Sequence, residues 1–257
     1  MKILLTGDTI GNYGVEFMQK KLNKIKRKYD IDFCIVNAEN SASNGITPAI
    51  GKALVDAGAD CITMGNHTFN RYEDFCDCVG MGLPIVRPAN YPSDSVGKGY
   101  LLIEWQDITI AVVNIVGRVF LDPVDCPFKA MDRVLKQLEN RAQVVLVDFH
   151  AEATSEKIAM KYHLDGRVSA LVGTHTHVVT ADEHVTENGM AYITDLGMTG
   201  PTNSILGVNK DVVLRRFIEH VSAPKLPGEG EVVLNGVVID IDEYSGRANS
   251  IERISER

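Results

Sequence analysis

His175 and His177 stand two residues apart in Gly173-Thr174-His175-Thr176-His177, just after the apolar run Val168–Val172. On an extended chain, side chains two apart share a face, so this spacing turns both imidazoles to one side. Imidazole is a ligand for zinc, iron, manganese or nickel. The pair alone says little, because surface and hydrogen-bonded histidines are common. Its company says more. Asp8, Glu39, Asn40, Asn66, His67 and His150 each lie just beyond another apolar, strand-like run. Taken singly, Asp8 could cap a turn or helix, Asn40 and Asn66 could hold turns, and His150 could be a satisfied core histidine. Glu39 is harder to explain this way, since a carboxylate directly after Phe33–Ala38 falls near the core. Packing alone does not account for all of them falling at strand ends.

A pair of divalent metals needs about seven ligand atoms, one of them a bridging carboxylate. Asp8, Glu39, Asn40, Asn66, His150, His175 and His177 match that number and those types. The chemistry such a centre suits is hydrolysis by a metal-bound hydroxide, with the metals stabilising charge on phosphate oxygens. A proton donor at the leaving oxygen is still required, and His67, next to Asn66, suits the role of general acid. His163, His184 and His220 lack the strand-end context and read as surface residues.

The elements that must position these residues follow from periodicity. Ile3–Thr6, Phe33–Val36, Cys61–Met64, Leu83–Val86, Val144–Val147, Ala170–Val172 and Tyr192–Thr194 read as buried strands. Gly11–Gly14 reads as a turn, followed by a helix over Val15–Lys28 with Phe17, Leu22 and Ile25 at helical spacing. Further helices are expected over Pro48–Ala57, Arg71–Val79, Ala130–Asn140, Ser155–Tyr162 and Asp211–His220. Tyr100–Trp105 with Ile108–Val116, and Val232–Ile241 with Ser250–Ile254, read as hairpins. Early βαβ units and later hairpins point to an α/β fold with mixed sheets and outer helices. No repeat or linker interrupts the chain, so one domain over 1–257 is expected. In open α/β sheets, ligands gather at the carboxyl ends of strands, where the candidate ligands fall.

The bulk numbers fit a folded domain: 45% hydrophobic and 23% charged residues, with no low-complexity tract. No apolar run reaches membrane-spanning length. Met1–Asp8 is too short and too soon interrupted for a signal peptide, and a cytoplasmic protein is expected. The cysteines Cys34, Cys61, Cys76, Cys78 and Cys126 match no zinc-finger spacing and suit a reducing compartment. The net charge of -8 gives no overall attraction for nucleic acid. Lys20, Lys21, Lys24, Lys26, Arg27 and Lys28 run the other way. They read as a solvated helix face and basic helix end, with a dock for an RNA backbone as the alternative.

The order of motifs carries a resemblance. Gly7-Asp8, Asn37-Ala38-Glu39-Asn40, Gly65-Asn66-His67, the block Asp148–Lys157, Gly173–His177 and the block Thr194–Pro201 resemble the YmdB-type metallophosphoesterases of the calcineurin-like superfamily. These are bacterial phosphodiesterases associated with 2',3'-cyclic nucleotides. The resemblance runs from Met1 to about Pro201 and is less distinctive beyond. It departs from the wider superfamily's Asp-x-His start, because Thr9 and Ile10 follow Asp8. The resemblance implies that Asn40 fills in at that metal.

It further implies a four-layer α/β/β/α sandwich. One metal would take Asp8, Glu39, Asn40 and His177, and the other Glu39, Asn66, His150 and His175, with Glu39 bridging. The mixed oxygen and nitrogen donors suit iron, manganese or zinc without choosing between them; the resemblance implies two divalent ions per chain, with iron or manganese expected and zinc open. The expected activity is hydrolysis of 2',3'-cyclic nucleotides. A broad phosphatase or nucleotidase on the same centre, and a metal-stabilised, RNA-linked regulatory module, stay open beside it. A homo-oligomer stays open too. The loops near Asn44, Asn90 and Arg118 carry no recognisable code for a base.

Overall fold

The computed structural model describes residues 1–222, 224 and 226–257. The chain opens with β1 (Lys2–Thr6), the short β2 (Asp8–Thr9) and α1 (Gly11–Tyr29). Next come β3 (Phe33–Asn37), α2 (Pro48–Asp56), β4 (Cys61–Thr63), α3 (Tyr72–Gly80) and β5 (Ile85–Val86). The middle holds β6 (Tyr100–Trp105), β7 (Ile108–Val116), α4 (Pro127–Leu138), β8 (Val144–His150), α5 (Thr154–Leu164) and β9 (Ala170–Thr174). The last part holds β10 (His184–Val185), β11 (Ala191–Ile193), β12 (Met198–Val208), α6 (Lys210–Glu219), β13 (Pro227–Ile241) and β14 (Ala248–Glu256).

The strands form two mixed sheets. One runs β2-β12-β13-β1-β3-β4-β5, with β14 also on β13; the other runs β10-β11-β9-β8-β7-β6. Alternation along each strand sorts the side chains. Ile3 and Leu5 face inward and pack with Ile35, Val112, Leu146 and Val172 between the sheets. Leu4 faces outward with Val36 and Ile62, onto Leu22 of α1, Leu54 of α2 and Phe75 of α3. On the far side, Val113, Val147 and Phe149 pack on Met131 of α4 and Met160 of α5. The result is a layered α/β/β/α sandwich. Burying one such Leu, Ile or Phe side chain is worth about 1.5–3 kcal/mol. A one-residue slip would turn a whole set to the wrong face, so the core also fixes strand register.

Within the first sheet β1, β3 and β4 pair in parallel. Within the second, β7, β8 and β9 do the same. Their carboxyl ends carry the motifs, and both sheets bring them to one rim.

Several local expectations change. Gly11–Gly14 is the first turn of α1, not a separate turn, with the Gly14 N–H donating to Ile10 O at 3.0 Å. Helix α4 starts at Pro127 rather than Ala130, because proline suits a first helical turn where no N–H is needed. The glycine-rich Gly197–Pro201 leads into β12, where Thr199 and Gly200 pair with Leu234 and Val233. Among the described residues, no helix is long and apolar enough to cross a membrane.

Candidate metal centre

Each sheet supplies part of a ring of ligand-type atoms. From the first sheet come Asp8 after β1, Glu39 and Asn40 after β3, and Asn66 after β4. From the second come His150, the last residue of β8, and His175 and His177 after β9. Asp8 and His150 are wholly buried, and Glu39 is 1% exposed. Burial of this kind costs several kcal/mol per ionised group unless partners or a metal answer it.

His150 Nε2 is the hub of the inner half. It lies 2.9 Å from Glu39 Oε1, 3.0 Å from Asn66 Oδ1 and 3.0 Å from His175 Nδ1. One ring nitrogen carries at most one hydrogen, so it cannot satisfy three lone pairs at once. Glu39, His150 and His175 each offer a ligand atom within 4.8 Å of the others. Lone pairs gathered this closely suit a cation.

The outer half is looser. Asp8 Oδ1 lies 3.8 Å from His150 Nδ1 and 3.9 Å from His177 Nε2. It is buried and accepts no hydrogen bond, whereas Oδ2 accepts the His175 N–H at 3.0 Å. A buried oxygen without a donor is costly, and a cation answers it directly. Asn40 Nδ2 donates to Glu39 Oε1 at 3.0 Å and lies 3.2 Å from His177 Nε2. A half-turn of that amide would bring its oxygen into the ring instead. These donor sets fit divalent metal ions.

The charges follow the same geometry. Burial pushes the Asp8 carboxyl up to about 6. Burial pushes Glu39 up as well, but the adjoining His150 outweighs it and holds Glu39 at about 2. His150 is pulled down by burial, yet Glu39 and Asp8 drive it up to about 9. Burial and the neighbouring His150 hold His175 down at about 3, so its ring is neutral.

Outer contacts set which nitrogen of each histidine faces inward. His150 Nδ1 donates to Thr174 Oγ1 at 2.9 Å, which donates in turn to Asp148 Oδ1 at 2.7 Å. Asp148 also accepts from Thr63 and Asn37, so this buried node ties the two sheets together. His175 Nε2 pairs with Glu152 at 3.0 Å, leaving Nδ1 inward. His177 Nδ1 donates to the Leu206 carbonyl at 3.1 Å, leaving Nε2 inward.

The His175–His177 segment is not extended, contrary to the spacing argument. His175 has φ +100° and His177 φ +63°, both on the left-handed side. Such backbone costs about 1–2 kcal/mol per residue and persists only where it is held. Asp8 holds the His175 N–H, and Asp195 Oδ2 accepts the Thr176 N–H at 3.1 Å. The same Asp195 oxygen pairs with Lys157 at 2.6 Å, both side chains being 1% exposed. The loop therefore bends both imidazoles to the ring by a different route from the expected one.

Gly65 permits the close approach of the sheets, because a Cβ there would run into the Glu39 carboxylate and the His150 ring. Next to it, His67 donates its N–H to Glu39 Oε2 at 3.1 Å. Its ring lies 3.1 Å from the Asn70 amide and lines the cavity before the ring of ligands.

Other candidates fall elsewhere. All five cysteines are free thiols, and burial pushes Cys34 up to about 12. Cys78, on the buried face of α3, packs in the core beneath the first sheet's helices. Within the basic run, Lys20 pairs with Glu16, Lys26 with Asp60 and Lys28 with Glu256. Asn90 is buried and donates to the Val116 and Asp125 carbonyls, a structural task. Asn44 lines the cavity, and so does His220, which is an exposed surface residue as expected. Periodicity gave no role to Asp148, Glu152, Lys157, Thr174 or Asp195. The available signal was that all but Thr174 sit in the blocks Asp148–Lys157 and Thr194–Pro201.

Two packed mixed sheets with ligand-type residues at their strand ends are the architecture of a metallophosphoesterase. The family of YmdB-like proteins matches residues 4–254. A protein of Bacillus subtilis (strain 168), named 2',3'-cyclic-nucleotide 2'-phosphodiesterase, is 45% identical over 257 residues, covering 99% of this chain and 96% of that one. A crystal structure from Mycoplasma pneumoniae, described as a novel phosphatase, superposes with a TM-score of 0.93 at 34% identity, over 100% of this chain and 93% of that chain. Haemophilus influenzae NAD nucleotidase shares the fold alone, with a TM-score of 0.63 at 13% identity over 99% of this chain and 55% of that chain. The chain belongs to the YmdB-like family and is an enzyme that hydrolyses phosphoesters.

Proposed function

We propose that the chain opens 2',3'-cyclic nucleotides by breaking the bond from phosphorus to the 2' oxygen, leaving a 3'-phosphate. The observation that carries this reading is the ring drawn from both sheets, with three acceptor atoms on His150 Nε2 and an unpartnered buried oxygen on Asp8. The relative named for that reaction supplies the substrate class. We assign Asp8, Glu39, Asn40 and His177 to one divalent ion and Glu39, Asn66, His150 and His175 to the other. Glu39 would bridge the two, and iron or manganese is the expected metal. Bound there, two such ions would supply an activated water and neutralise charge on the phosphate oxygens.

The chain's own groups do the rest. Asp8 and Asp195 hold the bent histidine loop in place. Glu152, Thr174 and Leu206 keep the proper ring nitrogens inward. His67 hands a proton to the departing 2' oxygen as the new bond from water to phosphorus forms. The Asn70 amide beside Nδ1 fixes its ring. Both sheets furnish ligands, so residues 1–257 act as one domain in this reading, in the cytoplasm.

Metal analysis coupled to a substrate panel tests it. After reconstitution with manganese or iron, two metals per chain and conversion of 2',3'-cyclic AMP to 3'-AMP are expected. One metal or none would overturn the dinuclear assignment. Equal rates on simple phosphomonoesters would favour a broad phosphatase. His67→Gln should keep both metals while kcat falls about 10²–10⁴-fold on the nucleotide. The fall should be smaller for a nitrophenyl ester, whose leaving group hardly needs a proton; an equal fall on both would remove His67 as the acid.

A further inference from the structure

The ring of ligands opens onto a cavity of about 730 Å³, and its far wall is apolar. A phosphate needs only the polar end, which leaves the apolar wall for another group. Two pieces of chain build it. In β12 the pairing with β13 slips between Asn203 and Val208. Within that bulge Leu206 has φ +54° and Gly207 φ +86°. The bulge sets the Leu206 carbonyl on His177 and leaves its side chain 46% exposed, lining the cavity. The second piece is α6. Asn209 caps it by accepting the N–H groups of Asp211 and Val212. Val213, Arg216, Phe217 and His220 recur at helical spacing on one face, and all four line the cavity. Phe217 is 75% exposed, a large aromatic face presented to the space beside the metal ligands.

We propose that this wall receives the nucleobase of the substrate, with Phe217 as its stacking partner and Leu206 beneath it. The proposal rests on the cyclic-nucleotide reading above. The cavity is within the usual range of about 300–1,000 Å³ for small-molecule sites, and it has their common mix of an apolar wall and a few polar groups. Ser43 and Asn44 supply polar groups from the other side. Stacking uses the π-face that every base has, so broad base tolerance follows.

The test compares 2',3'-cyclic AMP with ethylene phosphate, the same strained ring without a nucleoside, on the manganese-loaded enzyme. Phe217→Ala should lower the preference for the nucleotide, as the ratio of the two kcat/KM values, about tenfold. Phe217→Trp should preserve that preference. Leu214→Ala, on α6 but outside the cavity lining, should leave it unchanged. An unchanged preference in Phe217→Ala, with wild type cleaving both substrates, would overturn the stacking role and leave the phosphodiesterase reading intact. Loss of a dimer in the same variant without any change of preference would identify a second copy as the wall's occupant and equally overturn it. Wild type that cleaves nitrophenyl phosphate but neither cyclic ester would overturn the cyclic-nucleotide reading itself.

Discussion

The inner and outer halves of the ligand ring are built differently. In the inner half, Glu39, Asn66 and His175 crowd within 2.9–3.0 Å of His150 Nε2. Behind them stands the buried node of Thr174, Asp148, Thr63 and Asn37. In the outer half, the distances from His177 to Asn40 and Asp8 widen to 3.2 and 3.9 Å. Its backing is the carbonyl of Leu206 in a bulged edge of β12, beside solvent. The difference teaches that one ring can be built in two unequal halves. The inner ligands are pre-positioned by close packing and connected hydrogen bonds. The outer ligands are joined by few bonds, and Asp8 Oδ1 has none.

The largest effect should come from the residue that belongs to both halves. Glu39→Ala should strip both metals and lower kcat by roughly 10³-fold or more, as expected when the groups that stabilise the transition state's charge are removed. Elemental analysis together with turnover checks this. Retention of either metal at full occupancy would show that Glu39 is no bridge. Next in size are the single-half variants. His150→Ala should empty the inner position and also destabilise the fold, because it opens a hole in a fully buried site. His177→Ala should empty the outer position with little change in melting temperature. Equal metal and stability losses would erase the distinction between the halves.

Acidity sharpens the same comparison. Without metal, Glu39 and Asp8 drive His150 up to about 9 against the pull of burial. Below that pH the ring carries a proton that a cation must displace. Inner-half affinity should therefore fall about tenfold for each pH unit below about 9, and level off above it. The raised value also means that charged His150 stabilises the metal-free fold at neutral pH, and that this contribution is lost as pH rises through about 9. Titration calorimetry in two buffers of different ionisation heat should register the released proton. The smallest effect belongs to the backing residues. Thr174→Val should weaken inner metal binding about 10–100-fold by unfixing His150, with the outer position nearly untouched.

Much of this ring was legible in the sequence, because metal-type residues directly after apolar runs are conspicuous. Its supports were not. Asp148 lies inside the apolar run Val144–Phe149, where alternation gives no hint that it meets Thr63 and Asn37 of the other sheet. The carbonyl that orients His177 has no side-chain signature at all. The start of α1 was hidden by Gly11 and Gly14, which read as a turn. Gly14 is there for contact, since a Cβ would lie 2.6 Å from the Thr199 carbonyl oxygen. The bend at His175 and His177 depends on carboxylates far away in sequence, so two-residue spacing could not reveal it.

The central claim is a pair of metals shared between the two sheets. Anomalous diffraction at the manganese or iron edge, on crystals of the reconstituted protein, tests it most directly. Two peaks about 3.5–4 Å apart are expected, one among Asp8, Asn40 and His177, the other among Asn66, His150 and His175, with the Glu39 carboxylate between them. A single peak, or a second peak away from Asp8 and His177, would contradict it.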